Sequence, residues 1–277
     1  MTTPIDGLAE LAQRYDTLFC DVWGVVHDGV AAFPAACQAL ARWRAEVGPV
    51  ILISNAPRPE GAVATQLQGL GAPAQAWSAI VTSGDVCRQL LAERSPGPAW
   101  RIGPPKDDPL FESLGLEFAD QEHAAFIACS GPFDEDNETP EDYRAAFVKA
   151  VARGLTMICA NPDLVVQRGE RLIYCAGALA ALYRDLGGEV IEAGKPYAPI
   201  YDLARTRADG KRRILTIGDA VATDLAGARA QGLDTLFVAE GIHRAELATP
   251  AGGVDLAALA RLTGAPAPRW AMRALVW

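Results

Sequence analysis

The sequence predicts an α/β fold, a doubly wound parallel sheet that carries a large inserted α/β unit. Three observations predict it. Short apolar runs alternate with segments of helical periodicity through the first third of the 277 residues. The alternation breaks in the middle of the chain and then resumes. Three apolar runs also lead into chemically able groups: Tyr15 to Cys20 into Asp21, Val190-Ile191 into Gly194-Lys195-Pro196, and Ile214 to Ile217 into Gly218-Asp219. Ligands of open parallel sheets gather beyond the carboxyl ends of strands. Two acids and a lysine on three such ends therefore point to one shared site.

The elements follow in order. After the strand ending at Asp21, Val22-Trp23-Gly24 reads as a tight loop and His27-Asp28-Gly29 as a turn. Phe33, Ala36, Cys37, Leu40, Trp43 and Val47 then recur on one helical face. Val50 to Ile53 is a strand ending in Ser54-Asn55, and Val63, Leu67 and Leu70 mark a helix stopped by Gly71. Ala79 to Ser83 gives a third strand, followed by a helix through Val86, Leu90 and Leu91.

From Pro96 to Asp108 the chain is rich in Pro and Gly and reads as loop. Two buried strands are expected at Ala124–Cys129 and Thr156–Ala160. The acidic run 134–142 reads as a solvated helix entry, with Thr139 as N-cap and Pro140 and Glu141 in the first turn. The first pattern resumes with a strand at Glu189-Val190-Ile191 and runs on through Thr235 to Val238. Residues 84–187 are thus expected to form a cap inserted into a core made of 1–83 and 188–277. The aromatic tail, Pro268 to Trp277, is expected to dock on the protein's own core.

Composition narrows the function. The chain is 50% hydrophobic and 21% charged, ordinary for a globular protein of one large or two modest domains. Its six cysteines include no Cys-x-x-Cys pair and read as reduced core thiols. A net charge of −9 argues against a nucleic-acid partner, and the densest basic cluster, Lys211-Arg212-Arg213, reads as a solvated loop end. Neither a signal peptide nor an apolar run of about 18 residues is visible, so a cytoplasmic protein without a membrane partner is expected.

The chemistry rests on a few side chains. A carboxylate exposed at a strand-end loop, as expected of Asp21, can attack phosphorus and split hydrolysis into two easier steps. Lys195 in the same cleft would neutralise phosphoryl oxygens as charge moves. Asp219 and Asp224, a turn apart and beside Asp21, suit an all-oxygen Mg²⁺ site. Asp224 alone would also serve as a helix N-terminal acid. The hydroxyl and amide of Ser54-Asn55 suit a phosphoryl oxygen, and Arg58 is a nearby substrate-contact candidate.

These stations, in this order, resemble the four motifs of the haloacid dehalogenase-like hydrolases. The insertion looks like the type-two cap of the subgroup containing NagD-like and p-nitrophenyl phosphatases. Asn161-Pro162-Asp163, Cys175-Ala176-Gly177-Ala178-Leu179 and Gly194-Lys195-Pro196 carry that likeness, which spans about residues 15–245. The resemblance implies a Rossmann-like core and Asp21 as nucleophile and metal ligand. It adds the backbone carbonyl of Trp23 and the carboxylate of Asp219 as ligands, with Asp224 in or just behind that shell. Ser54 and Lys195 would hold the phosphoryl group, and Asn55, Arg58, Asn161, Asp163 and Arg168 would face the substrate. A Mg²⁺-dependent phosphohydrolase of a small phosphorylated metabolite is the expectation, with a homodimer compatible with the exposed cap.

One position departs from the family pattern. The subgroup's phosphatases carry a second aspartate two residues after the nucleophile, which protonates the departing oxygen; here that residue is Trp23. An indole N–H donates but does not titrate usefully, and losing a positioned acid–base group costs about 10²–10⁴-fold in rate. His27 and Asp28 are the nearby substitutes. Two other readings stay open: a protein that binds a phosphorylated metabolite with little turnover, and a carbon–halogen hydrolase, whose leaving group needs no proton.

Overall fold

A computed structural model describes residues 2–168, 170–210, 213–249 and 253–277. Its larger sheet joins seven parallel strands: β1 (Thr3–Pro4), β2 (Thr17–Cys20), β3 (Val50–Ser54), β4 (Ala79–Thr82), β11 (Ile214–Gly218), β12 (Asp234–Val238) and β13 (Trp270–Met272), in spatial order β1-β13-β12-β11-β2-β3-β4. The chain winds outward from β2 toward β4 on one side and from β11 toward β13 on the other. The switch point lies between β2 and β11, whose register sets Cys20 beside Ile217. Asp21 and Asp219 follow directly from that pairing.

The central strands are apolar on both faces because both are covered. Leu18, Cys20, Val50, Leu52, Leu215 and Ile217 point to one side, where Leu40 and Trp43 of the helix Pro34–Glu46 pack. Phe19, Ile51 and Ile53 point to the other. Period-two alternation thus feeds two separate clusters from the same strands.

The smaller sheet has four parallel strands: β5 (Ala99–Ile102), β6 (Phe126–Cys129), β7 (Thr156–Cys159) and β10 (Glu189–Glu192), in order β10-β7-β6-β5. A hairpin, β8 (Val165–Arg168) with β9 (Arg171–Tyr174), projects after β7. Ile127, Cys129, Met157 and Cys159 face the helices Arg144–Ala152 and Ala176–Asp185. Phe126, Ala128 and Ile158 face the other way, into the cluster already holding Phe19, Ile51 and Ile53. Helices Ser83–Ala92 and Ala198–Thr206 lie in that shared layer through Val86, Leu91, Ile200 and Tyr201. The two sheets therefore share one helical layer and one apolar core.

Two expectations are corrected. Glu189–Glu192 does not resume the first sheet: it pairs with Thr156–Cys159, Val190 beside Met157, and closes the edge of the second. A four-residue strand carries no mark of which sheet it will join. The stretch read as loop from Pro96 to Asp108 also contains β5, whose alternating Ala99-Trp100-Arg101-Ile102 buries Ala99 and Ile102. The aromatic tail docks as expected, with β13 between β1 and β12 and the Trp270 indole donating to the Tyr15 hydroxyl at 2.9 Å. Within the basic cluster Lys211 and Arg212 lie outside the described residues, while Arg213 pairs with Asp16 at 3.1 Å. Among the described residues no helix is long and apolar enough to cross a membrane.

Candidate active site

The chain leaves β2 at Cys20, and Asp21 continues the ladder by donating its N–H to the Ile217 carbonyl at 2.8 Å. On the neighbouring strand end, Asp219 accepts from the Ile242 N–H at 2.6 Å through Oδ2. Asp224 sits in a π-helical turn, Val221–Leu225, rather than opening a regular helix. Its Oδ2 accepts from the Asp219 and Ala220 N–H groups at 3.2 and 3.1 Å. One carboxylate oxygen from each of Asp21, Asp219 and Asp224 lies within 4.8 Å of the others, and all three residues are buried.

Lys195 reaches the same point from the second sheet's last strand. Its Nζ donates to Asp21 Oδ1 and, at 2.7 Å, to Asp224 Oδ1. Burial alone would lower the lysine's pKa, but the Asp21 and Asp224 charges overrule it and hold the ammonium well above its ordinary value. Burial and the Asp224 charge push Asp21 well up despite Lys195. The same two causes raise Asp219 to about 7. Three buried acids facing one cation leave negative charge uncompensated, which an oxygen-seeking divalent cation would relieve. The donor set fits such an ion.

Glycines make the close approach feasible. A Cβ on Gly241 would stand 1.8 Å from Asp219 Oδ2, and one on Gly24, at φ +88°, 2.2 Å from the same oxygen. No other residue type leaves room there.

Asn55 builds the lysine's foundation. Its Oδ1 accepts from the Lys195 N–H at 2.7 Å, while its Nδ2 donates to the Lys195 carbonyl at 3.2 Å and to Asp163 Oδ1 at 2.8 Å. The amide thus ties the Lys195 backbone to the loop after β7. Asp163, raised by burial against the pull of Lys195, is anchored at its N–H by Asn161 Oδ1 at 3.0 Å. Ser54 is buried at the end of β3, its hydroxyl accepting from the Ala56 N–H at 3.1 Å.

A cavity of about 270 Å³ opens from this cluster between the two sheets, lined by Asp21, Ser54, Lys195, Asp219 and Asp224 at one end. Arg58, Asn161, Asp163 and Arg168 line it as well. Arg168 bonds Glu135 at 2.8 Å, and Lys106 pairs with the same carboxylate. Glu135 therefore departs from the solvated reading of its acidic run. Asp107 and Ser130, absent from the sequence reading, also line the cavity. Ser130 directly follows β6, so the strand-end rule that found Asp21 would have found it too.

Trp23 turns away from the acids. Its indole Nε1 donates to the Gln167 carbonyl on the β8–β9 hairpin, and its ring meets His27 edge-on at 4.9 Å. His27 Nδ1 accepts from the Gly29 N–H at 2.8 Å, and burial lowers the ring's pKa to about 4. His27 is neutral at pH 7 and has no acidic proton to give there.

Sequence and structure comparisons bear on this geometry. The haloacid dehalogenase-like hydrolase model matches residues 18–117, and an HAD-hydrolase-like model matches 192–261. A crystal structure of a haloacid dehalogenase-like family hydrolase from Brucella suis 1330 is 43% identical, covers 98% of this chain and 100% of its own, and superposes with a TM-score of 0.87. The chain belongs to the haloacid dehalogenase-like hydrolase family. It is also similar to a D-glycerol 3-phosphate phosphatase of Mycobacterium tuberculosis, 27% identical over 86% of this chain and 67% of that protein. A third relative, the 5'-nucleotidase YutF of Bacillus subtilis, is 24% identical over 84% and 91% of the two chains. Within the haloacid dehalogenase-like family, these curated relatives are phosphatases.

Proposed function

We propose that the protein is a Mg²⁺-dependent phosphohydrolase of a small phosphorylated metabolite, working through an aspartyl-phosphate on Asp21. The observation that carries the reading is the buried convergence of Asp21, Asp219 and Asp224 on one point with Lys195 bonded across it. Glycerol phosphate phosphatase from Mycobacterium tuberculosis has been crystallised with calcium and with magnesium, which supports the choice of ion. Asp21 and Asp219, with the Trp23 carbonyl, would hold it. The ion supplies charge neutralisation, so that an anionic carboxylate can meet an anionic phosphate.

The chain's own groups do the rest. An Asp21 carboxylate oxygen attacks phosphorus as the bond to the leaving oxygen breaks, and Lys195 and the Ser54 hydroxyl hold the phosphoryl oxygens. Water then cleaves the acyl phosphate, releasing phosphate and restoring Asp21. Asp224 keeps Lys195 and the 219–220 backbone in place. With Trp23 committed to the hairpin, His27 neutral, and Asp28 held ionised by the Ala31 and Val30 N–H groups, none of the three protonates the leaving oxygen. Substrates whose leaving oxygen is acidic are favoured.

The test is hydrolysis of phenyl and acetyl phosphate with Mg²⁺ by wild type and Asp21→Asn. Turnover that disappears in Asp21→Asn is expected. Absence of turnover by wild type, together with tight binding of one phosphorylated metabolite, would favour the binding-only reading that Trp23 suggests.

A further inference from the structure

Half of the buried side-chain polar atoms that lack a well-formed hydrogen bond among the described residues line this cavity, Arg58 Nε, Asp107 Oδ1 and Ser130 Oγ, with Ser130 leaning on the Asp107 carboxyl. Asp107 is 1% exposed and Ser130 3%. Such atoms are costly to bury unless something completes them. Three segments bring them together: Arg58 between β3 and the helix Glu60–Gly69, Asp107 on the 3₁₀ turn Pro105–Leu110 after β5, and Ser130 just past β6. Arg58 Nε and Asp107 Oδ1 stand 4.0 Å apart, too far for a direct hydrogen bond but bridgeable by one hydroxyl. That hydroxyl would accept from the guanidinium and donate to the carboxylate.

Arg58 faces Asp107, and Lys106 and Arg168 share the one carboxylate of Glu135. Charge alone does not select the ligand, but a group set between a guanidinium and a carboxylate must accept from one and donate to the other, which a hydroxyl does and an anionic oxygen does not. A cavity of about 270 Å³ is also small beside the roughly 300–1,000 Å³ of sites for drug-sized ligands. We propose that Arg58, Asp107 and Ser130 form a subsite for hydroxyl groups of the leaving group, and that the substrate is a polyhydroxylated compound phosphorylated on an acidic oxygen, as in a sugar 1-phosphate. The acidic oxygen follows from Trp23, and the inference rests on the hydrolase reading above.

The experiment compares kcat/KM for ribose 1-phosphate, ribose 5-phosphate and phenyl phosphate, with Mg²⁺, in wild type, Asp107→Asn and Ser130→Ala. Ribose 1-phosphate is expected to lead, and each substitution to lower its ratio to phenyl phosphate by about 10- to 100-fold, the effect of losing a hydrogen bond to a buried polar or charged group. An unchanged ratio in both variants, or an equal fall on both substrates, would overturn the subsite. A preference for ribose 5-phosphate would overturn the acidic-oxygen assignment. If wild type hydrolyses none of the three, calorimetric titration with Mg²⁺ separates the two readings. Ribose 1-phosphate binding tighter than inorganic phosphate in wild type but not in Asp107→Asn keeps the subsite without the hydrolase. Equal binding removes both.

Discussion

Lys195 is a buried cation among three buried carboxylates, those of Asp21, Asp219 and Asp224, with the half-buried Asp163 beside them. The imbalance has a pH signature. Asp219, raised to about 7 by burial and Asp224, holds its proton through mildly acidic pH and must release it before a metal can bind. Mg²⁺ should therefore raise the melting temperature little at pH 5.5 and clearly more at pH 8; equal gains at both would remove Asp219 from the metal site. Trp23 offers a second residue-scale prediction. Trp23→Asp places a titratable group where the family's acid stands and is expected to raise turnover of an alkyl phosphate relative to phenyl phosphate by about 10²-fold. If that ratio does not move, the indole is not what limits alkyl esters.

At the scale of elements, the site is made by loops held on rigid strand ends. The turn after β12 presents the Ile242 N–H to Asp219 and brings Gly241 against the same carboxylate. Gly241→Ala should displace Asp219 and weaken Mg²⁺ binding by at least about 10-fold, while the seven-stranded sheet persists. Titration of the thermal shift against Mg²⁺, with far-UV circular dichroism as the control, measures both. The β8–β9 hairpin is bound to the core loop by the Trp23 indole, so the residue that removes the acid also fastens the cavity's outer wall.

For the whole molecule, the decisive feature is the helical layer between the sheets. Leu91 is fully buried there, in the cluster holding Ile53 of the first sheet and Ile158 of the second. Leu91→Ala is expected to cost about 2–5 kcal/mol and to lower a single calorimetric transition shared by both sheets. Two separated transitions would show that the layer does not couple them.

The convergence of the candidate site was legible because strand ends carry a local mark: apolar runs stop at Asp21, Ser54 and Gly218-Asp219, and burying such polar groups needs a reason. The strands and α-helices from Thr17 to Leu91 were equally legible from period-two and helical spacing, whereas the two-residue edge strand Thr3–Pro4 was not. Asp107 and Glu135 were not, since in the sequence they sit in loops resembling solvated ones. Their burial depends on which loops meet. The sequence by itself determined the parallel fold and put Asp21, Ser54, Asp219 and the non-acidic Trp23 at strand ends, because each is written in residue type and short-range order. Only the tertiary structure decided that Glu189–Glu192 joins the second sheet, that Trp23 points to the hairpin, and that Arg58, Asp107 and Ser130 share a wall. Those are pairings between distant segments, set by which apolar faces can be covered together and not by any residue's neighbours in the chain.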